Sequence, residues 1–102
     1  MIISFGEILL DVFENKNTKK EVSFVGGAPF NVAYQAHEMG NPTLFVGNIG
    51  KDEAGKKILR FFNDRNLDQR GLNIDPKRKT TIAKVTLDKA ERSFSFLREN
   101  TA

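Results

Sequence analysis

Short apolar runs alternate with polar breaks over the first quarter of the chain. Met1–Phe5 is predicted to be a short buried strand, and Glu7–Glu14 continues as an extended segment. The polar stretch Asn15–Lys20 interrupts this pattern and predicts a turn or loop. Because apolar and polar residues alternate again over Val22–Val25, we expect a second strand that returns from this loop and forms a hairpin.

A glycine-rich corner, "GGAPFN", separates this strand from a predicted helix. Pro29 lies near the first helical turn, where its missing N–H costs nothing. Gly40 is placed to cap the helix in the left-handed conformation, and Pro42 prevents continuation. Helical spacing predicts one buried face made of Val32, Ala33, Ala36 and Met39.

A second strand and helix follow. Thr43–Ile49 is predicted to be a buried strand, and Asp52 is a candidate N-cap for a helix over about Glu53–Arg65. The order strand, helix, strand, helix is typical of a parallel α/β unit with right-handed crossovers. The spacing predicts that the second helix buries Ile58, Leu59 and Phe62.

The last third of the chain has strand periodicity only. Thr80–Asp88 and Arg92–Leu97 each alternate, and "KAE" between them predicts a turn. We therefore expect a β-hairpin here rather than another strand–helix unit.

Length and composition narrow the class of protein. The 102 residues suffice for one small domain, and nine phenylalanines indicate either a substantial core or an apolar surface that contacts something else. The net charge of +3 is spread along the chain, and no aromatic residues accompany the basic run Lys77–Lys79, which argues against a nucleic-acid-binding protein. The absence of cysteine excludes disulfides and thiolate metal sites. The sequence shows neither a secretory signal nor a membrane span, so we expect a cytoplasmic location.

One phosphate-binding motif is nearly matched. Gly50–Lys57, "GKDEAGKK", follows a predicted strand and opens a predicted helix, as a P-loop does. Its last position, however, is Lys57 rather than the serine or threonine whose hydroxyl binds magnesium. The residues therefore favour an ordinary helix cap at Asp52.

The stretch "GGAPFNVAYQAHEMGNPTLFVGNIGKDEAG" resembles the N-terminal motif of the ribokinase-like carbohydrate kinases, the PfkB family. The glycine pair, Asn31, Ala33, Gly40 and Gly50 all have the family's spacing, and "GEILLD" and "RSFSFLRENTA" are similar to the family as well. The similarity is nearest to the fructokinase branch, with 2-keto-3-deoxygluconate kinases close to it. It implies an α/β, ribokinase-like fold: a parallel sheet with flanking helices plus a small β-sheet lid.

The resemblance also implies a sugar site. Its candidate residues are Asp11, Gly26, Gly27, Asn31 and Arg98. The glycines would let a sugar approach the backbone, while the carboxylate and the amide would bind its hydroxyls. The alternatives stay open: the glycines only turn the chain, Asn31 only caps the helix, Asp11 is a solvated strand residue, and Arg98 forms a salt bridge at the rim.

In the family, segments such as residues 10–25 and 80–98 form the lid over the sugar, and in many members the lid is also the dimer surface. The resemblance thus implies a homodimer through the lid, and an apolar lid face would account for phenylalanines such as Phe13, Phe24, Phe94 and Phe96. The alternative is that these rings pack only within the chain.

Family members are several times longer than this chain, and their catalytic Gly-Ala-Gly-Asp-type motif is absent from these residues. We therefore expect residues 1–102 to be the N-terminal part of one domain, to lack the residues that bind ATP and Mg²⁺, and to be inactive alone. Whether a monovalent cation takes part is left open. Leu97 replaces a tyrosine that is common in the family before Arg98, which puts sugar-acid recognition in doubt and favours a neutral sugar such as fructose. The alternatives are 2-keto-3-deoxygluconate, ribose and nucleosides as acceptors, and a non-catalytic sugar-binding or dimerisation module.

Overall fold

The computed structural model describes residues 1–88 and 91–97. The described residues form seven strands and two helices, and residues 89–90, where a turn was predicted, lie outside the described part. In chain order the elements are β1 (Ile2–Phe5), β2 (Leu9–Asn15), β3 (Lys20–Gly26), α1 (Ala28–Glu38), β4 (Thr43–Gly50), α2 (Glu53–Asp64), β5 (Leu72–Asp75), β6 (Thr81–Asp88) and β7 (Glu91–Leu97).

The strands form two sheets. The first is a three-stranded parallel sheet in the order β1-β4-β5. The second has four strands in the order β3-β2-β6-β7, and it joins the two predicted hairpins by a parallel pairing in which Leu9 faces Thr81. The parallel α/β unit and both hairpins are thus confirmed, while the pairing of β2 with β6 was not predicted.

Aromatic side chains make the centre of the core. Phe30, at the start of α1, is 1% exposed, and its ring centroid lies 5.7 Å from that of Phe45 and 5.5 Å from that of Phe62. Ile49 and Ile58 are fully buried beside them. The abundance of phenylalanine therefore partly reflects a real core in which rings from α1, α2 and β4 meet edge-to-face or tilted.

The predicted inner face of α1 was wrong in part. Val32 is 58% exposed and Met39 is 81% exposed, whereas Phe30 and Ala33 are buried and Tyr34 is half-buried. Two apolar stripes run along this helix, and the one that carries the rings packs inward. Its rings contact the aromatic side chains of α2, a partner that helical spacing alone does not identify.

The predicted burial of β1 and β4 was also only half correct. Phe45 and Ile49 point toward the helices and are buried, while Ile3, Phe5 and Val46 are 57%, 75% and 40% exposed. Ser4 donates to the carbonyl of Pro29 at the start of α1, so the alternate residues of β1 point away from that helix. Among the described residues, the helices thus cover one face of the three-stranded sheet.

Helix ends follow the predicted signals. Gly40 has φ +88° just after α1, and the Asp52 side chain accepts a hydrogen bond from the Gly55 N–H at the start of α2. Helix α2 ends at Asp64, one residue before the predicted end. The short strand β5 was missed because its four residues, "LNID", carry no clear alternation.

Asp52 does more than cap a helix. Its Oδ1 accepts from the Thr80 hydroxyl at 2.7 Å and its Oδ2 from the Thr80 N–H at 2.9 Å. The Thr80 hydroxyl oxygen in turn accepts from the Gly50 N–H at 2.8 Å. Since Thr80 directly precedes β6, this network ties the end of β4, the start of α2 and the start of β6 together, and so connects the two sheets.

We expect Asp52→Ala to lower the free energy of unfolding by about 1–3 kcal/mol, because it removes a cap and leaves the Thr80 N–H, in a residue 2% exposed, without its acceptor. Urea titration measures this. The neighbouring Glu53→Ala, which removes only an exposed ion pair with Lys56 and a first-turn carboxylate, should cost less than about 1 kcal/mol.

The pH dependence provides a second check on the same network. Partial burial opposes ionisation of Asp52, but the hydrogen bonds from Thr80 and Gly55 outweigh it and lower its pKa. Because the pKa of Asp52 is lower in the folded state, the ionised carboxylate stabilises the fold at pH values above its pKa in the unfolded chain, about 3.9. This stabilisation is lost as the pH falls through the pKa of the folded state. The difference in free energy of unfolding between the wild type and Asp52→Ala should therefore be largest near pH 7 and become smaller in acid. A difference that does not change with pH would contradict the role assigned to the carboxylate.

Candidate sugar site

The second glycine of the corner is required by the chain itself. Gly27 has φ +104°, and a Cβ there would lie 2.7 Å from the carbonyl oxygen of Glu7 and 3.3 Å from the Cα of Ile8. Both the positive φ and the close approach exclude an ordinary side chain. The tight-turn interpretation is therefore sufficient for Gly27, which brings the end of β3 against the segment that enters β2.

Gly26 has a different reason to lack a side chain. A Cβ at this position would overlap Oδ2 of Asp11 and lie 3.6 Å from the Leu9 side chain. Leu9 is the direct partner of Gly26 in the antiparallel pairing, and Asp11 is the next residue on the same face of β2. The missing side chain of Gly26 thus makes the room that the Asp11 carboxylate occupies.

The surroundings of Asp11 are apolar. Along the same sheet face lie Leu9 and Phe13 of β2 and Phe24 of β3, and the rings of Phe13 and Phe24 are 5.9 Å apart in an edge-to-face arrangement. Burial among these groups raises the pKa of Asp11. Asp11 makes no hydrogen bond or ion pair with any residue whose side chain the structure describes, so both carboxylate oxygens keep their acceptor capacity.

Asn31 lies one turn into α1, and its backbone N–H donates to the Gly27 carbonyl at 2.8 Å. Its side chain is exposed and, within the described part of the chain, its amide makes no hydrogen bond. The amide is therefore free to donate and to accept. Arg98 lies outside the described residues, as do the side chains of Phe94 and Phe96.

The carboxylate, the two glycines and the helix that carries Asn31 belong to consecutive parts of one corner. Asp11 and Gly26 are in contact, Gly27 continues from Gly26, and Asn31 is bound through its backbone to Gly27. Spacing along the sequence pointed to these residues, but not to the contact between Asp11 and Gly26, which only the strand register reveals.

The near-match to a P-loop does not form a phosphate site. The Gly55 N–H is bound by Asp52 and the Gly50 N–H by Thr80, so these backbone donors are already used. Within residues 1–88 and 91–97, no group of three or more histidine, aspartate or glutamate side chains is arranged to hold a metal ion. The residues present at this loop therefore do not fit the phosphates of ATP or their Mg²⁺ ion.

Comparison with family models matches residues 1–102 to the model described as pfkB family carbohydrate kinase. The chain belongs to this family. It is 34% identical to the probable fructokinase-2 of Arabidopsis thaliana and 35% identical to fructokinase-1 of Oryza sativa subsp. japonica, in each case over 100% of this chain. It covers 33% and 34% of those two proteins, so it spans about a third of the length of the curated relatives it matches.

Solved structures of the family give the same result. The fructokinase of Xylella fastidiosa with bound ATP superimposes with a TM-score of 0.86 at 36% identity, over 99% of this chain and 31% of that one. The apo fructokinase of Vibrio cholerae O395 gives 0.87 at 28% identity, over 99% and 35%. The pfkB chain described here thus has the ribokinase-like fold, with its parallel sheet, flanking helices and small second sheet. Neither of its described helices has the length and apolar character needed to cross a membrane.

The raised pKa of Asp11 can be measured against an internal reference. The guanidinium of Arg70 hydrogen-bonds the Asp68 carboxylate and holds the pKa of Asp68 at about 2. We expect a carboxyl-carbon NMR titration to find Asp11 protonating at the higher pH of the two, above its ordinary value of 3.8. An Asp11 pKa at or below 3.8 would show that the apolar face does not restrict its solvation.

Proposed function

We propose that this chain is the N-terminal part of an ATP-dependent sugar kinase whose acceptor is fructose. The observation that carries the proposal is the Asp11 carboxylate, which lies against the backbone of Gly26 on an apolar sheet face and has no described partner. A carboxylate in such a place can accept hydrogen bonds from two adjacent sugar hydroxyls, and each bond is strengthened by the charge. The names of the fructokinase relatives supply the identity of the sugar.

In the proposed site each residue has a binding role. Asp11 orients the sugar by its hydroxyls, the backbone at Gly26 and Gly27 lets the sugar come close, and Asn31 donates to and accepts from further hydroxyls. Arg98 is proposed as an additional contact at the substrate. Fixing the acceptor hydroxyl in this way lowers the barrier to transfer because orientation is gained before the chemical step.

The chemical step itself needs groups that lie elsewhere in the proposed parent protein. MgATP supplies the phosphoryl group, which the sugar hydroxyl attacks in line while a base takes the hydroxyl proton. The residues described here offer neither a nucleotide phosphate cradle nor a metal site at the α2 loop, and we place both functions in the longer protein. Its fold would use the four-stranded sheet as the lid over the sugar.

The face of that sheet on which Asp11 lies is also a proposed contact surface. Phe13, Val22 and Phe24 are 41%, 52% and 57% exposed on it. Burial of these side chains between two copies would favour association through the lid, because burying apolar surface contributes about 25 cal/mol of favourable free energy per Å². A homodimer is therefore part of the proposal.

Other acceptors remain as alternatives within the family, namely 2-keto-3-deoxygluconate, ribose and nucleosides. A different class, a non-catalytic sugar-binding or dimerisation module, shares the same site geometry. Competition between fructose and these compounds for the site separates the acceptors, while activity of the longer protein separates a kinase from a binding module.

We expect Asp11→Asn to weaken fructose binding by at least about tenfold, because the amide loses the charge that strengthens two hydrogen bonds. Isothermal titration calorimetry on the 102-residue chain measures this. Gly26→Ala should act in the same direction, since its Cβ displaces the carboxylate. The control Glu21→Gln, an exposed carboxylate on the same sheet, should leave the affinity unchanged. Equal affinities of wild type and Asp11→Asn would overturn the assignment.

The 102-residue chain alone should not catalyse phosphoryl transfer to fructose. With MgATP and fructose we expect no sustained ADP production in a coupled assay, since the residues that position ATP and take the hydroxyl proton are assigned to another part of the fold. The Asp11→Asn variant, prepared identically, reports contaminating kinases. Sustained ADP release by the wild type but not by the variant would contradict the proposal that this part supplies only binding.

A further inference from the structure

A second concave site lies on the other side of the four-stranded sheet from Asp11. A cavity of about 650 Å³, which we call the lateral cavity, separates β3 from the helices α1 and α2. Leu10 precedes Asp11 on β2, and its side chain lies on the opposite face of the sheet because successive side chains of a strand alternate between the two faces. Its apolar wall is formed by Leu10, Phe24, Val25, Phe61 and the ring of Tyr34. Asp11, Gly26, Gly27 and Asn31 do not line the cavity, which is therefore distinct from the proposed sugar site.

The rim of the lateral cavity is cationic. Lys57, Arg60 and Asp64 of α2 line it together with Arg65, which directly follows the helix, so three positive charges stand against one negative charge. Helical spacing places Lys57, Arg60 and Asp64 on one face of α2. Lys57 and Arg60 make no ion pair or hydrogen bond with any residue whose side chain the structure describes.

This lack of partners is not general on the surface. On the adjacent face of α2, Lys56 forms an ion pair with Glu53 at 3.2 Å. Beyond the end of α2, Arg70 forms an ion pair with Asp68 at 2.6 Å. Lys56 and Lys57 are thus sequence neighbours of which only Lys56, outside the cavity, has a carboxylate partner among the described side chains. Three cations against one carboxylate give the rim of the cavity a net positive charge, which would attract an anion.

Arg65 is held in place for binding. Its Nη1 donates to the Tyr34 hydroxyl at 2.7 Å, and its guanidinium carbon lies 5.1 Å from the centre of the Phe61 ring. A guanidinium has five N–H donors, so this arrangement leaves several of them for a ligand. The Tyr34 hydroxyl and the Phe61 ring already order the Arg65 side chain. Arg65 therefore loses little side-chain entropy when an anion binds.

We propose that the lateral cavity binds a nucleoside monophosphate. The cations of Lys57, Arg60 and Arg65 take the phosphate, and the apolar wall takes the flat base. Asp64 and the hydroxyl of Ser23, which also line the cavity, accept from the ribose hydroxyls.

The chemistry of the lining selects this class over a bare inorganic anion, which would leave the apolar wall exposed to water. A volume of about 650 Å³ falls within the range of small-ligand pockets, about 300–1,000 Å³. The proposal for the cavity does not depend on the sugar-kinase proposal, because Asp11, Gly26, Gly27 and Asn31 do not line the cavity, although Phe24 borders both sites.

The test is calorimetric titration of the 102-residue chain with AMP, and separately with adenosine and with inorganic phosphate. We expect AMP to bind more tightly than either part of it. The double variant Lys57→Gln/Arg60→Gln should weaken AMP binding by at least about tenfold, since two charge-assisted contacts are lost. The matched control Lys56→Gln, one position away but outside the cavity, should bind AMP as the wild type does.

Both lysines and Arg60 are exposed, so the variants should keep the wild-type unfolding midpoint, which urea titration verifies. Absence of AMP binding to the wild type overturns the proposal. So does AMP binding that is unchanged in the double variant, because the nucleotide then lies elsewhere. Phosphate binding as tight as AMP binding overturns the assigned ligand class. None of these results bears on fructose binding at Asp11, which remains separately measurable.

Discussion

A carboxylate held against a bare backbone is the constraint on which the functional part of this structure depends. Asp11 occupies the volume that a side chain at Gly26 would fill, and that contact exists only because β2 and β3 pair in one register. A shift by one residue would turn Asp11 to the opposite face, among the core side chains. The glycine, the register and the apolar neighbours together place an ionisable acceptor on a surface where few other polar groups compete for a ligand.

Keeping this surface in place requires that the two sheets be held together. Asp52 and Thr80 do so, since their hydrogen bonds join the end of β4 and the start of α2 to the residue that opens β6. Helix α1 attaches the same corner from the other side through the Phe30 ring cluster. The candidate sugar site is therefore built on rigid elements rather than on free loops, as a site that orients a substrate should be.

Much of this architecture follows from local signals in the sequence. Alternation predicted the two hairpins, and Pro29, Gly40 and Asp52 marked the helix ends where the structure has them. What local signals could not supply is the partner of each face. They do not show that β2 pairs with β6, that the ring-bearing stripe of α1 packs inward, or that Asp52 binds Thr80 across 28 positions. The position of Asp11 was indicated by family spacing, whereas its contact with Gly26 depends on the pairing of strands.

The most direct test of the proposed sugar site is to map where fructose binds, using backbone amide shifts of the ¹⁵N-labelled chain as fructose is added. We predict that the largest shifts cluster at Asp11, Gly26, Gly27 and Asn31, and that they fade as the pH falls through the raised pKa of Asp11. Shifts centred on another part of the molecule, or unaffected by protonation of that carboxylate, would contradict it.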